Sequence, residues 1–223
     1  MKLNVLYEDN HLIAVEKPAG FLTQGDKSGD ISLMDEVKEY LKEKHKKPGK
    51  VFLGLLHRLD RPVSGIVLFA KTSKGASRLS EQFRNREVEK IYNAIVFGKP
   101  KPEKGLLVNY LVKNEKKNKV DIFETGGKSR RKAELYYKTI ASNDQYSLLK
   151  ISIKTGKSHQ IRAQLSYIGC PILGDVKYGA KIRMENGNIA LSATSLSFLS
   201  ATGGKETKIS IPTPAEWNKY IEF

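Results

Sequence analysis

The sequence predicts an α+β fold on a mixed sheet, and three observations carry that prediction. Strand-like runs outnumber helical ones along the 223 residues. The helical patterns fall between strands without the regular βαβ alternation that a doubly wound parallel sheet requires. The run from Tyr146 to Lys154 alternates cleanly, with Leu149, Ile151 and Ile153 on one face and Lys150, Ser152 and Lys154 on the other.

The elements follow in order. Leu3 to Tyr7 and Leu12 to Val15 flank Asp9-Asn10 and predict a hairpin, which Lys17-Pro18-Ala19-Gly20 ends. Ser32 with Asp35 three residues on makes a capping box for a helix whose apolar stripe is Leu33, Val37, Tyr40 and Leu41. Ile66 to Ala70 is an apolar strand. Ala76, Leu79 and Phe83 mark one face of a second helix, capped by Thr72 or Ser73. Ile91 to Phe97 is β-rich and closed by Gly98 and Pro100, and Glu134 to Ala141 precedes the alternating strand. A short helix runs from Ser158 as cap to about Ile168, with Ile161, Leu165 and Ile168 as its stripe and Gly169 and Pro171 as its stop. Ile189 to Phe198 and Glu206 to Ile211 complete the set as strands.

A chain of this length buries a core as one domain or as two small lobes sharing a cleft. No apolar run is long enough for a bilayer, and the amino terminus has no secretory signal pattern. The lone cysteine, Cys170, excludes an internal disulfide framework. An intracellular, cytoplasmic protein is expected. Lysine and arginine total 39 against 24 acidic residues, a formal charge of +15. The excess clusters at Lys42 to Lys50, Lys113 to Lys119 and Lys128 to Lys132, which points to nucleic acid before an anionic membrane.

Familiar nucleotide and metal motifs fail on spacing. Thr155-Gly156-Lys157-Ser158 would need glycine where Ile151 stands, and Gly127-Lys128-Ser129 would need it at Ile122. His11, His45, His57 and His159 are scattered without metal-ligand spacing, so no metal and no cofactor are expected. What remains is Asp60, set between Arg58 and Arg61 and ahead of Pro62. Pro62 disfavours helix at Arg61, so Asp60 belongs on extended or turning backbone. Two guanidinium groups beside a carboxylate favour its ionised form, as a nucleophile needs; a surface ion pair around a tight turn satisfies the same residues. His159 and Arg162 share one helix face. Taken alone, Arg162 reads equally as a solvated helix cation and Tyr92 as a strand tyrosine with a wet hydroxyl.

Four ordered segments together resemble the RluA-type family of RNA pseudouridine synthases. They are Lys17-Pro18-Ala19-Gly20, the run HRLDRPVSGIVLFAK from His57 to Lys71, and Arg86 through Lys90-Ile91-Tyr92. The fourth is TGKSHQIRAQLSYIGCPILGD from Thr155 to Asp175 with Tyr178-Gly179. The resemblance covers nearly the whole chain. It implies a single catalytic domain over 1–223, a mostly antiparallel sheet flanked by helices and loops, with two lobes sharing a central basic cleft. No extension precedes the first strand, so the small amino-terminal RNA-binding domain of some relatives is expected to be absent. The chain departs from the family pattern at Val63, Cys170, Leu191-Ser192-Ala193 and Ser200-Ala201.

The resemblance implies that uridine in structured ribosomal or transfer RNA is isomerised to pseudouridine, by a monomer without metal or cofactor. Asp60 matches the catalytic aspartate, Tyr92 the pocket tyrosine and Arg162 the basic residue near the aspartate. Leu165 matches the pocket wall, and Arg58 the arginine that enters the RNA stack. His57, Lys90, His159 and Gln160 fall in the same segments and are expected to bind substrate. A non-catalytic RNA-binding protein on the same scaffold is the alternative.

Overall fold

The computed structural model describes residues 3–46 and 48–223; Lys47, within the first lysine cluster, lies outside the described residues. Its elements are β1 (Asn4–Glu8), β2 (Leu12–Lys17), α1 (Leu33–Lys44), β3 (Gly54–Leu55), β4 (Ser64–Ala70), α2 (Ser73–Asn85) and β5 (Glu89–Phe97). There follow β6 (Lys104–Asn114), β7 (Lys119–Phe123), β8 (Arg131–Ser142), β9 (Tyr146–Ile153), α3 (Gln160–Tyr167), β10 (Leu191–Leu199) and β11 (Glu206–Ser210). Every strand pair whose register is described is antiparallel. The chain divides into two compact units. No helix among the described residues is long and apolar enough to cross a membrane.

The first unit comprises Met1–Val88 and Ser195–Ile211. Asp9 makes its hairpin turn by accepting the N–H groups of His11 (2.7 Å) and Leu12 (2.6 Å) on one carboxylate oxygen. β2 then pairs with β4 from Leu12↔Ala70 to Lys17↔Gly65. β3 adds to β4, and β11 pairs with the outer part of β10. The helices form as their caps predict. Ser32 and Asp35 bond reciprocally at the start of α1, and Thr72, not Ser73, caps α2 by accepting Gly75 N–H (3.1 Å). Leu79 of α2 is fully enclosed with Leu12, Ile66, Leu68 and Phe198, and burial of such a leucine contributes about 1.5–3 kcal/mol. Gly75 permits the close approach, since a Cβ there would sit 2.6 Å from the His11 carbonyl oxygen.

The second unit comprises Glu89–Thr194 and Pro212–Phe223. Its strands run in the order β5-β9-β8-β6-β7. The hairpin of β6 and β7 is absent from the sequence expectations, because its lysines masked the strand pattern and its exposed face carries Leu106 and Val108 where alternation calls for polar residues. α3 packs on the other face through Ala163 against Leu111, Val120 and Ala133. Its start also differs from expectation. The cap is His159 in the left-handed region (φ 51°) with no side-chain cap bond, and Ser158 stands one residue outside.

Candidate active site

Asp60 lies in the first unit, half-buried on the segment between β3 and β4. The chain turns at Arg61-Pro62, and Val63 N–H closes the turn on the Asp60 carbonyl (3.0 Å). Thr23 holds the preceding residue twice, donating its hydroxyl to the Leu59 carbonyl (2.9 Å) and accepting Leu59 N–H (3.2 Å). Lys17, the last residue of β2, is completely buried, and a buried ammonium must find acceptors. It donates to the carbonyls of Phe21 (2.7 Å), Pro18 (3.0 Å) and Arg61 (3.1 Å), tying the Lys17-Gly20 segment to the Asp60 turn. Burial brings the Lys17 pKa down to about 7, against the attraction of Asp60 and with the repulsion of Arg61.

Arg61 is engaged at the turn, its Nε donating to the Gly20 carbonyl (3.0 Å) and its Nη2 pairing with Asp30 (2.8 Å). Arg58 is exposed. Lys17 is the buried cation that attracts Asp60 within this unit. The His57 Nε2 accepts Leu68 N–H (3.0 Å), and the ring stacks on Phe83 with centroids 5.1 Å apart.

The second unit holds the other candidates. Tyr92 on β5 is 8% exposed and lies in register with Ile151, Tyr137 and Gly105, on the sheet face against which α3 packs. Lys90, two residues earlier and so on the same face, has its pKa lowered by burial. Arg162 on α3 is 6% exposed. Its Nε donates to Asp175 Oδ2 (2.7 Å) and its Nη2 to Asp175 Oδ1 (2.8 Å), the two-pronged geometry that suits guanidinium and carboxylate. Its Cζ lies 5.1 Å from the centroid of the Tyr178 ring. The His159 Nδ1 meets the Tyr178 hydroxyl at 2.9 Å.

Gln160 ties the start of α3 to its own loop and to β8. Its Oε1 accepts from Thr155 Oγ1 (2.7 Å) and Lys157 N–H (3.2 Å), while Nε2 donates to the Glu134 carbonyl (3.0 Å). Leu165 is fully buried. Burial raises the Cys170 thiol pKa, which keeps it protonated and inert.

A family model described as RNA pseudouridylate synthase matches residues 11–167. The ribosomal large subunit pseudouridine synthase C of Rickettsia typhi is 34% identical over 212 residues, covering 94% of this chain and 68% of that protein. The tRNA pseudouridine synthase C of Haemophilus ducreyi is 37% identical over 193 residues, covering 80% and 75%. The chain belongs to the RNA pseudouridylate synthase family. It is therefore an RNA pseudouridine synthase, an isomerase acting on uridine within RNA. Among solved structures, human RNA pseudouridylate synthase domain containing 4 superposes with a TM-score of 0.81 over 96% of this chain and 90% of that one, at 24% identity. That likeness shows the pseudouridine synthase fold.

Asp60, Tyr92 and Arg162 fall inside the stretch that matches the family, whereas Asp175 and Tyr178 follow it. Sequence reasoning singled out neither of those two for a role, nor Lys17. The available signal for Lys17 was a charge closing the apolar run Leu12 to Val15. For Asp175 it was an acid placed directly after Pro171-Ile172-Leu173-Gly174.

Proposed function

We propose that this synthase acts on uridines of ribosomal or transfer RNA, with Asp60 as catalytic carboxylate and Tyr92 and Arg162 as its partners in the reaction. The target class follows the names of the relatives, which act on ribosomal large subunit RNA or on tRNA. The observation that carries the assignment of Asp60 is its anchored turn. A carboxylate on backbone fixed by Thr23 and Lys17 is held in one place, and a reacting group must be held so.

The chemistry needs little else. The N1–C1′ bond breaks, the uracil turns, and C5 bonds to C1′; C5 gives up its proton and N1 takes one. Every heavy atom is retained and no electrons leave, so neither metal nor cofactor is consumed. One carboxylate suffices because the departing base is also the incoming nucleophile, unlike glycoside hydrolysis, where two carboxylates serve a water. A stacked uridine is out of reach, so it must leave the helix, and the exposed Arg58 fills the vacated place. In this reading 1–223 acts as one catalytic domain, as a cytoplasmic monomer.

Asp60→Asn keeps size and removes charge. It should reduce pseudouridine formation at least about a thousandfold while RNA affinity stays within about twofold. Turnover near the wild-type rate in that variant sinks the assignment. Release of free uracil by the wild type, seen by chromatography, would mean hydrolysis instead of isomerisation.

A further inference from the structure

We propose that Tyr178 is a positioning residue, whose ring holds the guanidinium of Arg162 in place for the reaction. The inference rests on the assignment of Arg162 to catalysis. Asp175 takes Nε and Nη2 of that guanidinium, and the cation also lies 5.1 Å from the Tyr178 ring centroid, within the range in which an aromatic quadrupole attracts it. The ring is 8% exposed, so water competes little for the charge.

Tyr178 is itself held at its hydroxyl and at its backbone. Val120 N–H on β7 donates to the Tyr178 hydroxyl (2.8 Å), and Nδ1 of His159 is hydrogen-bonded to the same hydroxyl (2.9 Å). Ser166 Oγ donates to the Tyr178 carbonyl (2.5 Å) from α3, the helix that carries Arg162. One tight turn delivers both groups that hold the guanidinium, since Tyr178 N–H bonds to the Asp175 carbonyl (2.9 Å). Gly174 opens that turn at φ 86°, where a Cβ would lie 2.5 Å from the Asn188 carbonyl oxygen, and Gly179 closes it at φ 98°. The segment Gly174-Asp175-Val176-Lys177-Tyr178-Gly179 thus reads as a device for aiming one arginine.

The full chain carrying phenylalanine at position 178, then phenylalanines with one, two and three ring fluorines there, tests this directly. Fluorine weakens the negative face of the ring while hardly changing its shape. Tyr178→Phe should retain most activity. kcat should then fall stepwise with fluorination, on the order of tenfold across the series, with KM and RNA affinity flat. Tyr178→Leu should fall further. A flat kcat across the fluorinated series overturns the proposal, even if Tyr178→Leu fails to fold, as does a loss confined to KM. Near-normal turnover by Arg162→Ala would instead remove Arg162 from the reaction and with it the premise.

Discussion

Arg162 carries a permanent charge into a place where only 6% of its surface meets solvent, and Asp175 makes this tolerable. An unpaired buried guanidinium would be costly; two short parallel bonds to one carboxylate satisfy it and fix its plane. Lysine can occupy only one of those oxygens and presents a point charge. Arg162→Lys should therefore lower kcat about ten- to a hundredfold, the worth of one lost charge-assisted bond, with RNA affinity retained. A rate within twofold of wild type would mean the fork geometry is irrelevant. At this scale the turn that carries Asp60 was legible because its constraints are local, a proline and a turn within three residues. The partners of Arg162 were not. Asp175 lies 13 residues on, beyond a helix end and two turns, and only the folded chain brings it back. Gln160 and His57 sit in conspicuous motifs, and only the folded chain shows that they also bond the Glu134 carbonyl and the Leu68 N–H.

Elements were legible where their end signals are chemical. The Ser32 and Asp35 box fixes the start of α1, and Thr72 fixes α2. α3 was misplaced at its start because Ser158 offers the usual cap chemistry, yet the chain enters through His159 in a left-handed conformation that leaves no side-chain cap. The β6–β7 hairpin was missed because Lys113 to Lys119 reads as a solvated charge run, whereas Lys113 lies within β6 and Lys119 begins the β7 strand paired with it. Glu8 shows how elements are joined once formed. At the end of β1 it accepts from Lys71 after β4 (2.6 Å), Lys44 of α1 (2.8 Å) and His45 (3.2 Å). Burial alone would raise its pKa, but the bonds from Lys44, Lys71 and His45 outweigh it and bring the value down to about 2. The folded chain thus holds Glu8 ionised at pH values where the unfolded chain, near 4.5, protonates it. Its stabilisation is complete above pH 4.5 and disappears as pH falls toward 2. Glu8→Gln should cost about 1–2 kcal/mol in urea denaturation at pH 7, and the gap from wild type should close between pH 4.5 and 2. A gap that is constant with pH would show that the carboxylate charge contributes nothing.

At the scale of the molecule the +15 charge has consequences that no single site reveals. Lys104, Lys138 and Lys150 stand directly opposite one another across β6, β8 and β9, all three exposed. Like charges in register repel, so a sheet that keeps such a row gains when a polyanion lies nearby. Lys116, Lys117, Lys128 and Arg131 are exposed on neighbouring segments of the same unit. Each phosphate neutralised by such a side chain releases condensed counterions, and that release weakens as bulk salt rises. If about five phosphates of a single-stranded region are neutralised, affinity should drop about a hundredfold between roughly 50 and 200 mM salt. The chemical step is different in kind. The groups we propose for it, Asp60 on the turn that Lys17 anchors and Arg162 paired with Asp175, are held by short contacts that a Debye length of about 10 Å hardly screens. kcat at saturating RNA should accordingly stay level over the same salt range while KM climbs. A kcat that falls in parallel with affinity would show that the lysines act in the chemical step as well as in capture, and a flat KM would show that they do not capture RNA at all.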